Sequence, residues 1–241
     1  MSKRQKREAR KEGLMIGNNI QKTGFTLKKI TPMTESQQDA FEAFDDGYNL
    51  LFSGFAGTGK TFLSLYFGLR GIEEGNFRKV MIVRSIVSAR DIGFLPGTLD
   101  EKIKVYEAPY RDIVNTLYGR GDTYQTLKSK GVIEFVPTSF QRGITINDTL
   151  ILVDEMQNLS GRELNTVITR MGKNSKIIFC GDYFQSDLLG RDKNDILKFI
   201  QILEAIDCFA IIDFNAEDIV RSKMIKDYLI AKQRIGHNLD W

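Results

Sequence analysis

One run, Tyr48-Asn-Leu-Leu-Phe-Ser-Gly54-Phe-Ala-Gly-Thr-Gly59-Lys60-Thr61, restricts the fold of this chain more than any other stretch. A short apolar segment ends in a glycine-rich turn, and Phe62–Arg70 continues with spacing that suits a helix. Gly54, Gly57 and Gly59 let the backbone curl so that successive N–H groups point inward. The positive end of the following helix adds to those donors, and together they suit phosphate. Gly54, Phe55, Ala56, Gly57, Thr58, Gly59, Lys60 and Thr61 are therefore the candidate nucleotide contacts. In this pattern, Gly-x-x-x-x-Gly-Lys-Thr, the Lys60 ammonium reaches the β/γ oxygens and the Thr61 hydroxyl ligates Mg²⁺. A chance match in an ordinary glycine turn is the competing explanation; strand character before it and helix character after it argue against that.

The chain has 241 residues and 42% hydrophobic content, enough for a packed core. No apolar run approaches the roughly 20 residues that a membrane helix needs, and the charged N-terminus carries no secretory pattern. The two cysteines, Cys180 and Cys208, lie in apolar strand-like runs and read as buried, reduced thiols of a cytoplasmic protein, with a disulfide as the alternative. A single histidine, His237, argues against a histidine-based catalytic or zinc site. The net charge of +3 conceals an asymmetry. The first twelve residues carry six Lys/Arg against two Glu, which leaves 28 positive and 29 negative side chains on the rest. Such an arm suits nucleic acid through counterion release, or serves only as a solvated tail.

Residues 1–30 are expected to form a basic, flexible arm, and residues 31–241 one domain. Thr34 reads as the N-cap of a helix with Gln37 in the capping-box position. Gln37 has a second reading: its amide could bond the N6 and N7 edge of adenine, with the glycine turn about 20 residues downstream. Apolar strands are expected at Lys79–Arg84, Val132–Val136, Thr149–Val153, Lys176–Cys180 and Cys208–Ile212. Helical patterns occupy 161–172, 193–205 and 220–232. Residues 98–129 have mixed helical patterning, which Pro109 is expected to interrupt. The alternation of strand and helix predicts an α/β fold, a parallel sheet with helices on both faces.

Several polar motifs close these strands. Asp154-Glu155 follows four apolar residues, as in a Walker B element. Asp154 is then the candidate Mg²⁺ holder and Glu155 the candidate base for the attacking water. Solvated acids at a sheet rim are the plain alternative. Gln185, in Gly181-Asp-Tyr-Phe-Gln185, could sense the γ-phosphate, and Arg221 could stabilise charge on the transferring phosphoryl group. Arg84, Arg90 and Arg142 sit in loops after strands, where they suit a nucleic-acid backbone or act as ordinary surface charges.

Together these residues resemble the PhoH-like family of phosphate-starvation-type ATPases, itself similar to the first motor domain of superfamily 1 helicases. The resemblance covers roughly residues 31–232. It rests on Thr34-x-x-Gln37, Gly54–Thr61, Gly93-Phe-Leu-Pro-Gly97, Phe140-Gln-Arg-Gly143, Val153-Asp-Glu-Met-Gln-Asn158, Gly181-Asp-x-x-Gln185 and Asp218-x-x-Arg221. It implies a RecA-like P-loop NTPase fold, ATP and Mg²⁺ as cofactors, hydrolysis of ATP, RNA or single-stranded DNA as partner, and a ring-like homo-oligomer, with a hexamer as one size. Ser85 stands where a proline usually follows the arginine at the position of Arg84. The residues after 232 are not expected to supply a second motor domain. Two other functions stay open on the residues: an ATP-dependent nucleic-acid-binding switch without unwinding, and a P-loop small-molecule kinase, against which Asp154-Glu155 argues.

Overall fold

Runs such as Thr149-Leu-Ile-Leu-Val-Asp154 are too uniformly apolar to leave either face in water, so they become interior parallel strands. The structure is a computed structural model, in which residues 24–85, 99–137, 145–182 and 191–236 are described. In chain order its main elements are α1 (Glu35–Asp45), β1 (Asn49–Gly54), α2 (Lys60–Glu73), β2 (Lys79–Arg84), α3 (Leu99–Tyr118), α4 (Thr123–Ser129), β3 (Ile133–Pro137), β4 (Thr149–Asp154), α5 (Gly161–Ile168), β5 (Lys176–Gly181), α6 (Arg191–Glu204), β6 (Phe209–Phe214) and α7 (Lys223–Gly236). The strands form one parallel sheet in the order β3-β2-β4-β5-β1-β6. The expected parallel sheet with helices on both faces is therefore observed.

The strand period of two divides the core. Leu50, Phe52, Val80, Ile82, Leu150, Leu152 and Ile178 face one layer, with α1, α2, α3 and α4. Leu51, Met81, Val83, Ile151, Val153, Ile177 and Phe179 face the other, with α5 and α6. All of β4 is buried, and each Leu, Ile or Val it hides is worth about 1.5–3 kcal/mol. Because the strands run parallel, the ends of β1, β4 and β5 share one edge of the sheet, where ligands gather in open α/β sheets.

The structure differs from the sequence reading in several places. Pro109 does not interrupt the insertion: α3 runs continuously from Leu99 to Tyr118 through it. The missing proline N–H would have bonded the carbonyl of Val105, whose side chain is 63% exposed, so water can serve that carbonyl. Cys208 is exposed, not buried, and both cysteines are free thiols. It precedes the edge strand β6, which is only half-covered. The last helix starts at Lys223, not at residue 220, and the residues before it include a 3-10 turn, Ala216–Asp218. Phe25 and Leu27 are buried against the body, where Phe25 packs 6.0 Å from Tyr118 and Leu117 O accepts from Lys28 N. Among the described residues, no helix is long and apolar enough to cross a membrane.

Candidate nucleotide site at the strand ends

The turn after β1 takes its shape from its glycines and from the end of β6. Gly54 has φ +111°, and a Cβ there would lie 1.9 Å from the Phe214 carbonyl oxygen. That carbonyl accepts from Phe55 N at 3.1 Å. Gly57 and Gly59 also have positive φ, and Gly59 caps α2 with no side chain on the first helical N–H groups. Those donors therefore face the turn, as an anion site requires. Thr58 is buried and its hydroxyl donates to Phe55 O at 2.9 Å, which braces the turn from within.

Lys60 Nζ folds back onto the turn and donates to Gly54 O and Phe55 O, both at 2.5 Å. Burial lowers its pKa, while the negative charges of Asp182, Glu155 and Asp154 act against the drop. Thr61 Oγ1 donates to Asp154 Oδ1 at 3.0 Å. Tyr110 OH donates to the other carboxylate oxygen, Oδ2, at 2.7 Å. Burial pushes the Asp154 carboxyl above the usual carboxylate range, and the Tyr110 hydrogen bond opposes that push. Burial, with the Asp154 charge, also raises the Tyr110 phenol well above its ordinary value, so it remains a proton donor. Thr61 and Asp154 offer paired hard oxygens, a donor set that fits Mg²⁺ completed by phosphate oxygens and water.

Glu155 follows with φ 51° and ψ 47°, a left-handed conformation that costs a non-glycine residue about 1–3 kcal/mol. Its carboxylate accepts from Gln157 Nε2 at 2.5 Å, and Gln157 Oε1 accepts from Asp182 N at 3.3 Å. Gln157 thus ties the end of β4 to the end of β5. The left-handed backbone at the candidate base is held by a side chain from the next turn.

Gln37 lies at the same edge. Its Nε2 donates to Thr58 O at 3.0 Å and its Oε1 accepts from Met33 N at 2.9 Å. Thr34 caps α1 as expected, its hydroxyl accepting from Gln37 N at 3.3 Å. Arg221 also reaches the glycine turn: a Cβ on Gly57 would lie 3.0 Å from Arg221 Cγ, and Val220 N donates to Gly57 O at 3.2 Å. Its position follows from Asp218, whose carboxylate accepts from Ser36 Oγ and Asn215 N, each at 2.9 Å. Arg84 leaves β2 towards α3; its guanidinium sits 5.5 Å from the Tyr106 ring centroid and donates to Tyr110 OH at 3.4 Å.

The described part of the chain therefore brings together Gln37, the turn from Gly54 to Thr61, Asp154, Glu155 and Arg221. Gln185, Arg90 and Arg142 lie outside the described residues, as do the Gly93–Gly97 and Phe140–Gly143 stretches. Sequence reasoning missed Tyr110, the bridge through Gln157 and the clamp between Ser36 and Asp218. A cleft of ≈ 530 Å³ lined by residues including Arg162, Asn165, Asp195 and Lys198 lies between α5 and α6 and carries none of these residues.

A family model described as PhoH-like protein matches residues 29–232. A PhoH-like protein of Mycobacterium bovis is 35% identical over 210 residues, covering 86% of this chain and 59% of that protein. One of Bacillus subtilis is 32% identical over 205 residues, covering 85% of this chain and 64% of that protein. The chain thus spans about three-fifths of the length of the curated relatives it matches. Among solved structures, the large terminase of a thermophilic bacteriophage aligns with 88% of this chain and 51% of its own, at TM-score 0.53 and 13% identity. That likeness is one of fold, and the fold is that of a P-loop NTPase.

Proposed function

Because the chain belongs to the PhoH-like protein family, we propose that it hydrolyses Mg²⁺-ATP and couples hydrolysis to the binding or remodelling of RNA or single-stranded DNA. The observation that carries this reading is the meeting of Thr61 and Asp154 at 3.0 Å beside the glycine turn and the strained Glu155. A turn with inward N–H groups alone would suit any anion. The turn with paired hard oxygens and a poised carboxylate suits a nucleoside triphosphate whose last bond is to be cleaved by water.

Each residue then has one task. The backbone N–H groups of the turn bind the α- and β-phosphates. Lys60 gives up the Gly54 and Phe55 carbonyls for β/γ oxygens. Thr61 and Asp154 would hold the Mg²⁺, which would supply neutralisation of phosphate charge. Glu155, oriented by Gln157, takes the proton of the attacking water. Gln185 senses the γ-phosphate. Arg221, already against Gly57 in the same chain, stabilises the leaving charge in cis. The second N–H and second lone pair of the Gln37 amide remain for adenine.

The polymer is engaged by Arg90 and Arg142, since the Arg84 guanidinium is taken up by Tyr106 and Tyr110; the basic residues among the first twelve positions add salt-dependent affinity. The protein acts in the cytoplasm as a homo-oligomer arranged as a ring. The test is the rate of ATP hydrolysis with and without single-stranded RNA, single-stranded DNA and duplex, together with solution mass. Stimulation by one class of strand supports the coupling; no hydrolysis of ATP under any of these conditions removes the reading, and a monomeric mass removes the ring.

A further inference from the structure

The two oxygens of the Asp154 carboxylate are held from different elements. Oδ1 accepts from Thr61 on α2, and Oδ2 accepts from Tyr110 on α3. Tyr110 is fully buried, with its ring 5.8 Å from that of Phe135. A phenylalanine would fill the same volume, so packing alone does not call for the hydroxyl. A phenol has one proton to give and lone pairs to receive with. Here the proton goes to Asp154 Oδ2, and the oxygen receives an N–H from Arg84 at the end of β2. The guanidinium in turn sits on Tyr106, one helical turn before Tyr110.

We propose that Tyr110 is a positioning residue for metal–nucleotide binding: by occupying Oδ2 it leaves Oδ1, the oxygen beside Thr61, to face the nucleotide, and Arg84 keeps the phenol in its donor orientation. The inference rests on the nucleotide-site reading above. It also gives the insertion between β2 and β3 a direct contact with the metal-holding carboxylate, since α3 belongs to that insertion.

The test is titration of a fluorescent N-methylanthraniloyl-ATP with and without Mg²⁺. In Tyr110→Phe, affinity without metal stays within about twofold of wild type, while the Mg²⁺ needed to half-saturate the tight complex rises about tenfold, as for other residues that orient a metal ligand. In an Asp154→Ala background, adding Tyr110→Phe changes nothing further. An unchanged Mg²⁺ requirement in Tyr110→Phe overturns the inference. So does an equal loss with and without metal, which is the mark of a merely structural role. Should Tyr110→Phe lack a cooperative melt, Arg84→Met is the substitute: a raised Mg²⁺ requirement supports the inference and an unchanged one overturns it. If wild type itself binds the nucleotide no more tightly with Mg²⁺ than without, the nucleotide-site reading fails first and takes this inference with it.

Discussion

Thr61 and Asp154 stand 93 residues apart in the chain and 3.0 Å apart in space. Strand β5 lies between the strands that lead to them. Neither residue can find the other until β4, β5 and β1 are paired, so the candidate metal site forms only with the sheet.

Lys60 rests on two turn carbonyls and places its ammonium inside the cradle. Lys60→Ala removes the group that would neutralise the β/γ oxygens. Hydrolysis of ATP should fall by at least about 10²-fold, the scale seen when a preorganised charge-stabilising donor is lost. A steady-state phosphate-release assay checks this.

Glu155 is bonded to Gln157 and strained, which suits a base held ready for water. Glu155→Gln keeps the shape and removes the basicity. The expected outcome is a fall in hydrolysis of about 10²–10⁴-fold with ATP binding preserved. Filter binding of radiolabelled ATP, with product analysis of the bound nucleotide, separates trapping from loss of binding.

Gly54 admits no side chain, because a Cβ would lie 1.9 Å from the Phe214 carbonyl oxygen and φ is +111°. Gly54→Ala must push β6 away from β1 or reshape the turn. A loss of more than about 3 kcal/mol of stability is expected, the scale of a backbone clash at a special conformation. Urea unfolding of the purified variant measures it.

Lys176 Nζ donates to Phe44 O at 3.0 Å and lies 4.5 Å from the Phe44 ring. Burial lowers its pKa from 10.5 to about 8. The folded state therefore releases this proton before the unfolded state does, so the unfolded state binds more protons between those two values. Stability contributed at this position should rise as pH climbs from about 8 towards 10.5. Chemical unfolding of wild type and Lys176→Met across that range isolates the effect: wild type should gain on the variant as pH increases.

The parts of the site that sequence made legible are those whose chemistry is contiguous. The β1 run, the glycine turn and α2 follow one another, and Asp154-Glu155 closes its own strand, so pattern alone identified them. Contacts between distant segments were not legible. Nothing within α3 signals that Tyr110 meets Asp154, because the bond crosses 44 residues and depends on how the insertion packs. Gln37 showed an amide suited to a cap or to adenine, but its grip on the Thr58 carbonyl appears only once α1 is docked. Pro109 misled because a helix tolerates proline where the freed carbonyl sits beside an exposed residue, and exposure is a property of the fold. Cys208 misled because apolar neighbours resemble a central strand, whereas β6 lies at the edge.

The alternation of side chains across the sheet has a spatial corollary. The helices α2 and α3 share one layer and touch, while α5 and α6 occupy the other. The segment between β2 and β3 therefore meets the nucleotide corner from a single side of the sheet, through Tyr110 on Asp154 and through the helix that begins with Lys60 and Thr61.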